Sequence, residues 1–340
     1  MRVTRNVVLS TAAVLMVAAL PAFGQAKLGV VKTFHIGGVG GFDYMTVDAE
    51  SHRLFTARGT HTQVIDENTG KLLADIPGQK ESHGVAIVSA VNRGFISDGG
   101  GDGAVVIFDL KTYKVLGSLK TVPDTDGIIY DASSNRVLAT AGDSAALISI
   151  DPSVDPKSGT FDKVDLGGKP EFLASDSAGK VYVNMEDKDV VAEVDLNAKK
   201  VVARWAVAPG GAPVGMSIDP ATHRLFIGAR NPQKLIVMDA ENGKVLEVLP
   251  IGKVVDATSF DAGQAFASCV DGTMTVAGEQ NGKFVVEQVV TTAKGAKTLG
   301  IDHQTHMIYL PTADVVPGLD AKGHLKFKAG TFKIVVVGRQ

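Results

Sequence analysis

The sequence predicts an all-β fold, a seven-bladed β-propeller whose ring is closed by the N-terminal strand completing the last blade. Three observations lead there. An apolar strand closed by aspartate recurs about every 42 to 44 residues, a spacing typical of propellers and solenoids. A β-prone segment introduced by a polar turn precedes that strand and is found in seven copies. The seventh copy lacks the final strand that the others have, and the N-terminal region resembles the missing piece.

The chain opens with Arg2 and Arg5, the apolar run VVLSTAAVLMVAAL from Val7 to Leu20, then Pro21 and AFGQA. That order of basic, apolar and small residues is that of a secretory signal peptide. The run is shorter than the roughly 18 residues a membrane-spanning helix requires. Cleavage is expected after Gly24 or Ala26, which divides the chain into a leader, 1–26, and a single domain, 27–340. The mature protein is expected to be periplasmic or secreted and monomeric, with no membrane span.

LGVVKTFHIGG (28–38) follows, similar to the strand endings LADIPG and LEVLPIG. Seven inner strands are then expected at YMTVD, GVAIV, GIIYD, FLASD, GMSID, ATSFD and TLGID. The second strands are RLFTA, RGFIS, RVLAT, KVYVN, RLFIG, QAFAS and MIYLP. Third strands close at Asp66, Asp109, Asp151, Asp195 and Asp239, in contexts such as VIDENTGK and VMDAENGK. Asp folding back on the backbone, with a glycine at positive φ, makes these turn formers, not catalysts. The chain ends on FKIVVVGRQ with no fourth strand after it, so residues 28–38 are expected to complete that sheet and remove an exposed edge.

Composition fits this reading: 45% hydrophobic, 21% charged and 38 glycines, a globular chain rich in turns. Net charge is −3, and −5 once Arg2 and Arg5 leave, which argues against a general polyanion binder and makes nucleic acid an unexpected partner. Cys269 stands alone, so no intrachain disulfide can form, and its apolar strand AFASCV marks it as a small core residue.

KVYVN at 180–184 and VIDENTGKLLADIPG at 64–78 carry a resemblance to the YVTN-repeat (YncE-like) β-propellers. It spans essentially the whole mature chain, although LFTA, GFIS and AFAS depart from the tetrad. The resemblance implies the fold. It implies no reaction, because the family is defined mainly by its repeat.

Inner strands of a propeller converge on a central channel, so a site should draw residues from several blades at one phase of the repeat. Five positions back from the end of each inner strand stand Asp43, His83, Asp126, Glu171, Val214, Asp256 and Lys297, and six of the seven are ionisable. Asp43, His83, Asp126, Glu171, Asp256 and Lys297 are therefore the expected ligand-binding rim. Within it Asp43, His83, Asp126 and Glu171 are candidates for a divalent cation, Ca²⁺ if oxygens dominate and a transition metal if the imidazole ligates. The competing reading is a hydrated channel lining in which Lys297 pairs with Asp256.

Two functions follow from the rim. One is a non-catalytic binding module for a protein, polymer or small molecule. The other is a metal-assisted hydrolase of the Ca²⁺-lactonase type, using Asp43, Asp126, Glu171 and Asp256. A quinone or copper oxidoreductase fits poorly, with Trp205 the sole tryptophan and one histidine on the rim. SDGGGDG (97–103) reads as a Ca²⁺ loop or a flexible turn. His52, His223 and His306 fall in turns at the opposite mouth, His61 in a loop on the rim side within reach of His83, and His324 in the insertion VVPGLDAKGHLKFKAG.

Overall fold

The fifth repeat shows how the sequence builds its sheets. In the computed structural model, which describes residues 27–320 and 323–340, this repeat forms the strands Pro213–Asp219, Arg224–Arg230, Gln233–Asp239 and Val245–Pro250, antiparallel and in that spatial order. The turn after Asp239 is closed by its own carboxylate, whose Oδ1 accepts from the Glu241 amide at 2.8 Å. Asp66, Asp109, Asp151 and Asp195 do the same for amides two or three residues on, at 2.8 Å for Thr69, Thr112, Ser153 and Ala198. The five repeated aspartates are turn formers, as their spacing implied.

The middle strands are buried on both faces. Arg93–Asp98, Arg136–Ala141 and Arg224–Arg230 each hold at least five consecutive buried residues because sheets pack against them from either side. Near-continuous apolar runs such as RVLATA and RLFIGA are the consequence. The outermost strand Lys200–Ala206 instead alternates exposed and half-buried residues, as a one-sided strand should. Cys269 is fully buried in a middle strand among Val255, Ala267 and Phe284.

Five sheets of four strands, one of seven and a two-stranded hairpin make up the described residues. The seven-stranded sheet joins two repeats. One strand, Leu72–Val88, runs as the outer strand of the first repeat and the inner strand of the second without a break. At Ser82 it pairs with Gly59 on one side and Asp98 on the other. The N-terminal strand Leu28–His35 pairs antiparallel with Lys333–Arg339, from Leu28 opposite Arg339 to His35 opposite Lys333. It forms the outer edge of the sheet that also contains Met307–Thr312 and Gly300–Asp302. The insertion near the C-terminus is the hairpin Val315–Leu319 with Leu325–Phe327.

Neighbouring repeats are pinned by side chains that reach across to the next backbone. Thr46 Oγ1 donates to Val85 O at 2.7 Å, Asn184 Nδ2 to Val214 O at 2.9 Å and Thr298 Oγ1 to Asp43 O at 2.9 Å. The last of these ties the final repeat to the first. Among the described residues no helix is long and apolar enough to cross a membrane, and the expected signal peptide lies outside them.

Candidate functional site

The inner strands bring the expected rim residues to one mouth of the molecule, where they form a chain of contacts. His83, within Leu72–Val88, places Nδ1 2.8 Å from Asp43 Oδ2 and 3.4 Å from Asp126 Oδ1. Burial opposes a charge on this imidazole. The hydrogen bond to Asp43 and the Asp126 and Asp43 carboxylates outweigh that and raise His83 to about 9. Burial and the nearby Asp43, Asp124 and Asp256 carboxylates push Asp126 up as well, to about 7, against the pull of His83. Asp43, His83 and Asp126 each offer a ligand atom within 4.8 Å of the others.

Glu171, the fourth residue of the expected metal set, lies elsewhere in the chain of contacts. Lys169 Nζ reaches Glu171 Oε1 at 3.5 Å and Glu186 Oε2 at 3.4 Å. Burial and the charges of Glu186 and Asp126 raise Glu171 well above the usual carboxylate range. Arg230 continues the sequence, with Nη1 3.4 Å from Glu186 Oε1 and Nη2 bonded to Asp256 Oδ1. Lys297 closes it, donating to Asp256 Oδ2 at 2.5 Å and standing 3.8 Å from Asp43 Oδ1. The expected Lys297–Asp256 pair is present. Asp256 is buried, yet these two cations hold it below its ordinary value.

The rim was expected to be largely acidic. Its acids are instead interleaved with cations, and the exposed part near Asp256 is cationic: Asp256 is 6% exposed while Arg230 and Lys297 are 30% and 33% exposed. Tyr44 stands among these charges. Its ring lies 4.9 Å from that of Phe172 in the fourth repeat, and the Asp126, Asp43, Asp256 and Glu171 charges add to burial in raising its hydroxyl.

Above Arg230, Asp256 and Lys297 opens a cavity of about 660 Å³. Its walls include Phe42, Phe327, Phe332 and Leu325, and the backbone of Gly40 and Gly41. The Phe42 and Phe327 rings meet edge to face at 4.8 Å. Arg58 fixes the glycine wall: its guanidinium, 3.8 Å from the Phe332 ring centroid, donates to Gly41 O at 2.7 Å and Val39 O at 3.0 Å. Gly40 sits at φ +101°, and a Cβ there would meet Arg58 O at 2.4 Å, so no side chain fits.

Tyr44, Lys169, Glu186, Arg230 and the aromatic wall were not in the expected set. The arginines had a signal in RLFTAR and RLFIGAR, where Arg58 directly follows a second strand and Arg230 ends one. Val214, at the rim phase of the fifth repeat, is buried, and Arg230 reaches the mouth in its place.

The other sequence candidates are occupied locally. His61 lies inside the strand Gly59–Asp66, not in a loop, and its Nε2 faces Asp75 at 3.6 Å, not His83. The carboxylate of Asp98 in SDGGGDG accepts from the Lys80 amide at 3.0 Å and the Glu81 amide at 2.7 Å, a turn that ties strands together. His52, His223 and His306 hold φ of 52°, 53° and 60° in the turns between first and second strands, and His303 and His306 both reach Asp261, at 2.9 and 2.7 Å.

No family model and no curated protein matches the sequence. Solved structures do match in shape. The WD40 β-propeller domain of Doa1 superposes with a TM-score of 0.71 at 12% identity, covering 92% of this chain and 97% of that one. The fold is a β-propeller. A chain from the mitotic checkpoint complex gives a TM-score of 0.75 at 10% identity over 98% of both chains. Hydrazine synthase from Kuenenia stuttgartiensis gives 0.70 at 11% identity, over 80% of this chain and 92% of that one. At these identities the likeness is one of fold.

Proposed function

We propose that this chain is an exported, non-catalytic binding propeller of seven blades, of the YVTN-repeat type, whose ligand enters the channel mouth above Arg230, Asp256 and Lys297. Closure of the ring is supported by the pairing of Leu28–His35 with Lys333–Arg339 and by the bond from Thr298 to Asp43 O. Export is supported by the basic and apolar N-terminal sequence. The observation that carries the binding reading is the cavity itself. At about 660 Å³ it has the size of a small-molecule pocket, with an apolar wall and a few convergent charged groups at its base.

The test is a small-molecule library screened by ligand-observed NMR against the mature protein, repeated with Phe327→Ala. Phe327 is 37% exposed, so its truncation leaves the fold intact while removing part of the wall. Binders lost in the variant support the reading. A library whose binders all survive the substitution overturns it.

A second reading, a divalent cation held by Asp43, His83 and Asp126, is favoured by two atoms: Asp126 Oδ1 and His83 Nε2 are shielded from solvent and have no hydrogen-bond partner. A mixed oxygen and imidazole set suits a transition metal better than Ca²⁺. The four-carboxylate cradle of a lactonase-type hydrolase is less well supported, since Glu171 is engaged with Glu186 and Lys169, and Asp256 with Arg230 and Lys297. Thermal shift with Mn²⁺, Zn²⁺ and Ca²⁺ tests this reading. Stabilisation of the wild type that disappears in Asp126→Asn supports it, and equal shifts in both proteins exclude it.

A further inference from the structure

We infer that the ligand of the channel mouth is an organic carboxylate with an apolar body, its acid group on Arg230 and Lys297 and its body against Phe327. The inference rests on the binding reading above and deepens it. Its first support is the balance of donors and acceptors at the base of the cavity. Arg230 and Lys297 together carry more N–H donors than the acceptors that meet them. Those acceptors are Val255 O at 3.0 Å from Arg230 Nε, the two Asp256 oxygens, Glu186 Oε1 at 3.4 Å and Asp43 Oδ1 at 3.8 Å. The last two are too long to be hydrogen bonds of full strength. Both Asp256 oxygens are already engaged, and that residue is almost wholly covered while the two cations are about one-third exposed. The cavity also carries the Asp320 carboxylate, 3.6 Å from His324 Nδ1 on the hairpin side, but at its base a ligand meets donors and positive charge, and an oxyanion is the group that completes them.

The second support is the apolar lip. Val39, Val254, Leu319 and Phe327 are exposed large apolar side chains, at 70%, 44%, 56% and 37%, and all stand on segments around this mouth. Val254 also holds φ +57°, a left-handed conformation that a β-branched side chain rarely adopts. Strain and apolar exposure at one lip, with cationic donors at the base, describe a pocket matched to an amphiphilic anion. A carboxylate suits the planar guanidinium fork of Arg230, and a phosphate monoester would share the same chemistry.

Isothermal titration calorimetry on the mature protein, with 1-naphthoate, 1-naphthamide, 1-naphthylmethylamine and 1-naphthyl phosphate as probes, tests the inference. Naphthoate should bind about tenfold or more tightly than the amide, the amine should bind weakest, and Arg230→Lys and Phe327→Ala should each weaken naphthoate by about tenfold. Hydrogen exchange should show protection confined to the segments bearing Val254, Gly295 and Phe327. Tighter binding of the phosphate assigns the oxyanion site to phosphate monoesters and overturns the carboxylate. If the amide or amine protects these segments better than naphthoate, the anion is wrong while the mouth remains a binding site. If no probe protects them, the carboxylate assignment is overturned, and binders from the library screen that survive Phe327→Ala would separately overturn the binding reading.

Discussion

Removing the Phe34 ring should loosen the union of the two chain ends. Phe34 lies on the N-terminal strand at 5% exposure, packed with Ile334 and Val336 of the last strand and with Met45, Leu54 and Ile65 of the first repeat. Its ring also fills the space above Gly70, where a Cβ would come within 2.3 Å of it, and lies under the Lys32 ammonium at 4.5 Å. A buried Phe→Ala change costs roughly 3 to 5 kcal/mol. A terminal strand can settle partly into the gap, which places Phe34→Ala near the lower end, about 3 kcal/mol. Val31 on the same strand is 44% exposed, and Val31→Ala should cost less than about 0.5 kcal/mol. Equilibrium urea unfolding followed by tryptophan fluorescence and circular dichroism measures both. Equal midpoints for the two variants would refute the idea that this strand is an integral part of the last sheet.

His83 carries a pH signature. Its value is raised from an ordinary 6.5 to about 9, so its stabilising contribution is fully present below 6.5 and is lost as pH rises through 9. The stability advantage of the wild type over His83→Gln should shrink across that window in urea titrations, and an advantage that grows with pH would contradict the assignment. Lys297→Met leaves Asp256 with Arg230 alone. The cost should be roughly 2 kcal/mol, below that of breaking a fully buried pair because about a third of Lys297 faces solvent, and a neutral effect in chemical denaturation would contradict it. Asp66→Ala, altering only an exposed turn, should leave naphthoate affinity unchanged by calorimetry. Mass spectrometry of the exported protein should find an N-terminus near Gln25 or Lys27, and intact Met1 would exclude cleavage.

The repeat was legible because each of its signals is local. Asp66 and Asp239 make their turns with amides two or three residues away, and the runs RVLATA and RLFIGA report burial on both faces through composition alone. The rim phase also placed Asp43, His83 and Asp126 together and Lys297 on Asp256, since equivalent positions of successive inner strands meet around one axis. The remainder of the site is set by reach. Arg230 extends from the end of a second strand to Asp256 and Glu186, residues 26 and 44 positions away. Phe327 arrives on a hairpin outside the repeat, and Tyr44 adjoins a rim residue but meets Phe172 of the fourth repeat. Such partnerships depend on side-chain length and on how neighbouring sheets face each other, neither of which has a period in the sequence. The continuous strand Leu72–Val88 was hidden for a related reason. LADIPG, ending at Gly78, reads as the end of a strand, yet the residues beyond it keep pairing on through Ser82.

A crystal structure of the mature protein soaked with 1-naphthoate tests the central claim most directly, because it views ring and mouth together. Seven blades are predicted around one axis, with the N-terminal strand hydrogen-bonded to the last strand and the carboxylate within hydrogen-bond distance of Arg230 and Lys297, the naphthyl ring against Phe327. An N-terminal strand detached from Lys333–Arg339, or naphthoate bound away from the mouth, would contradict it.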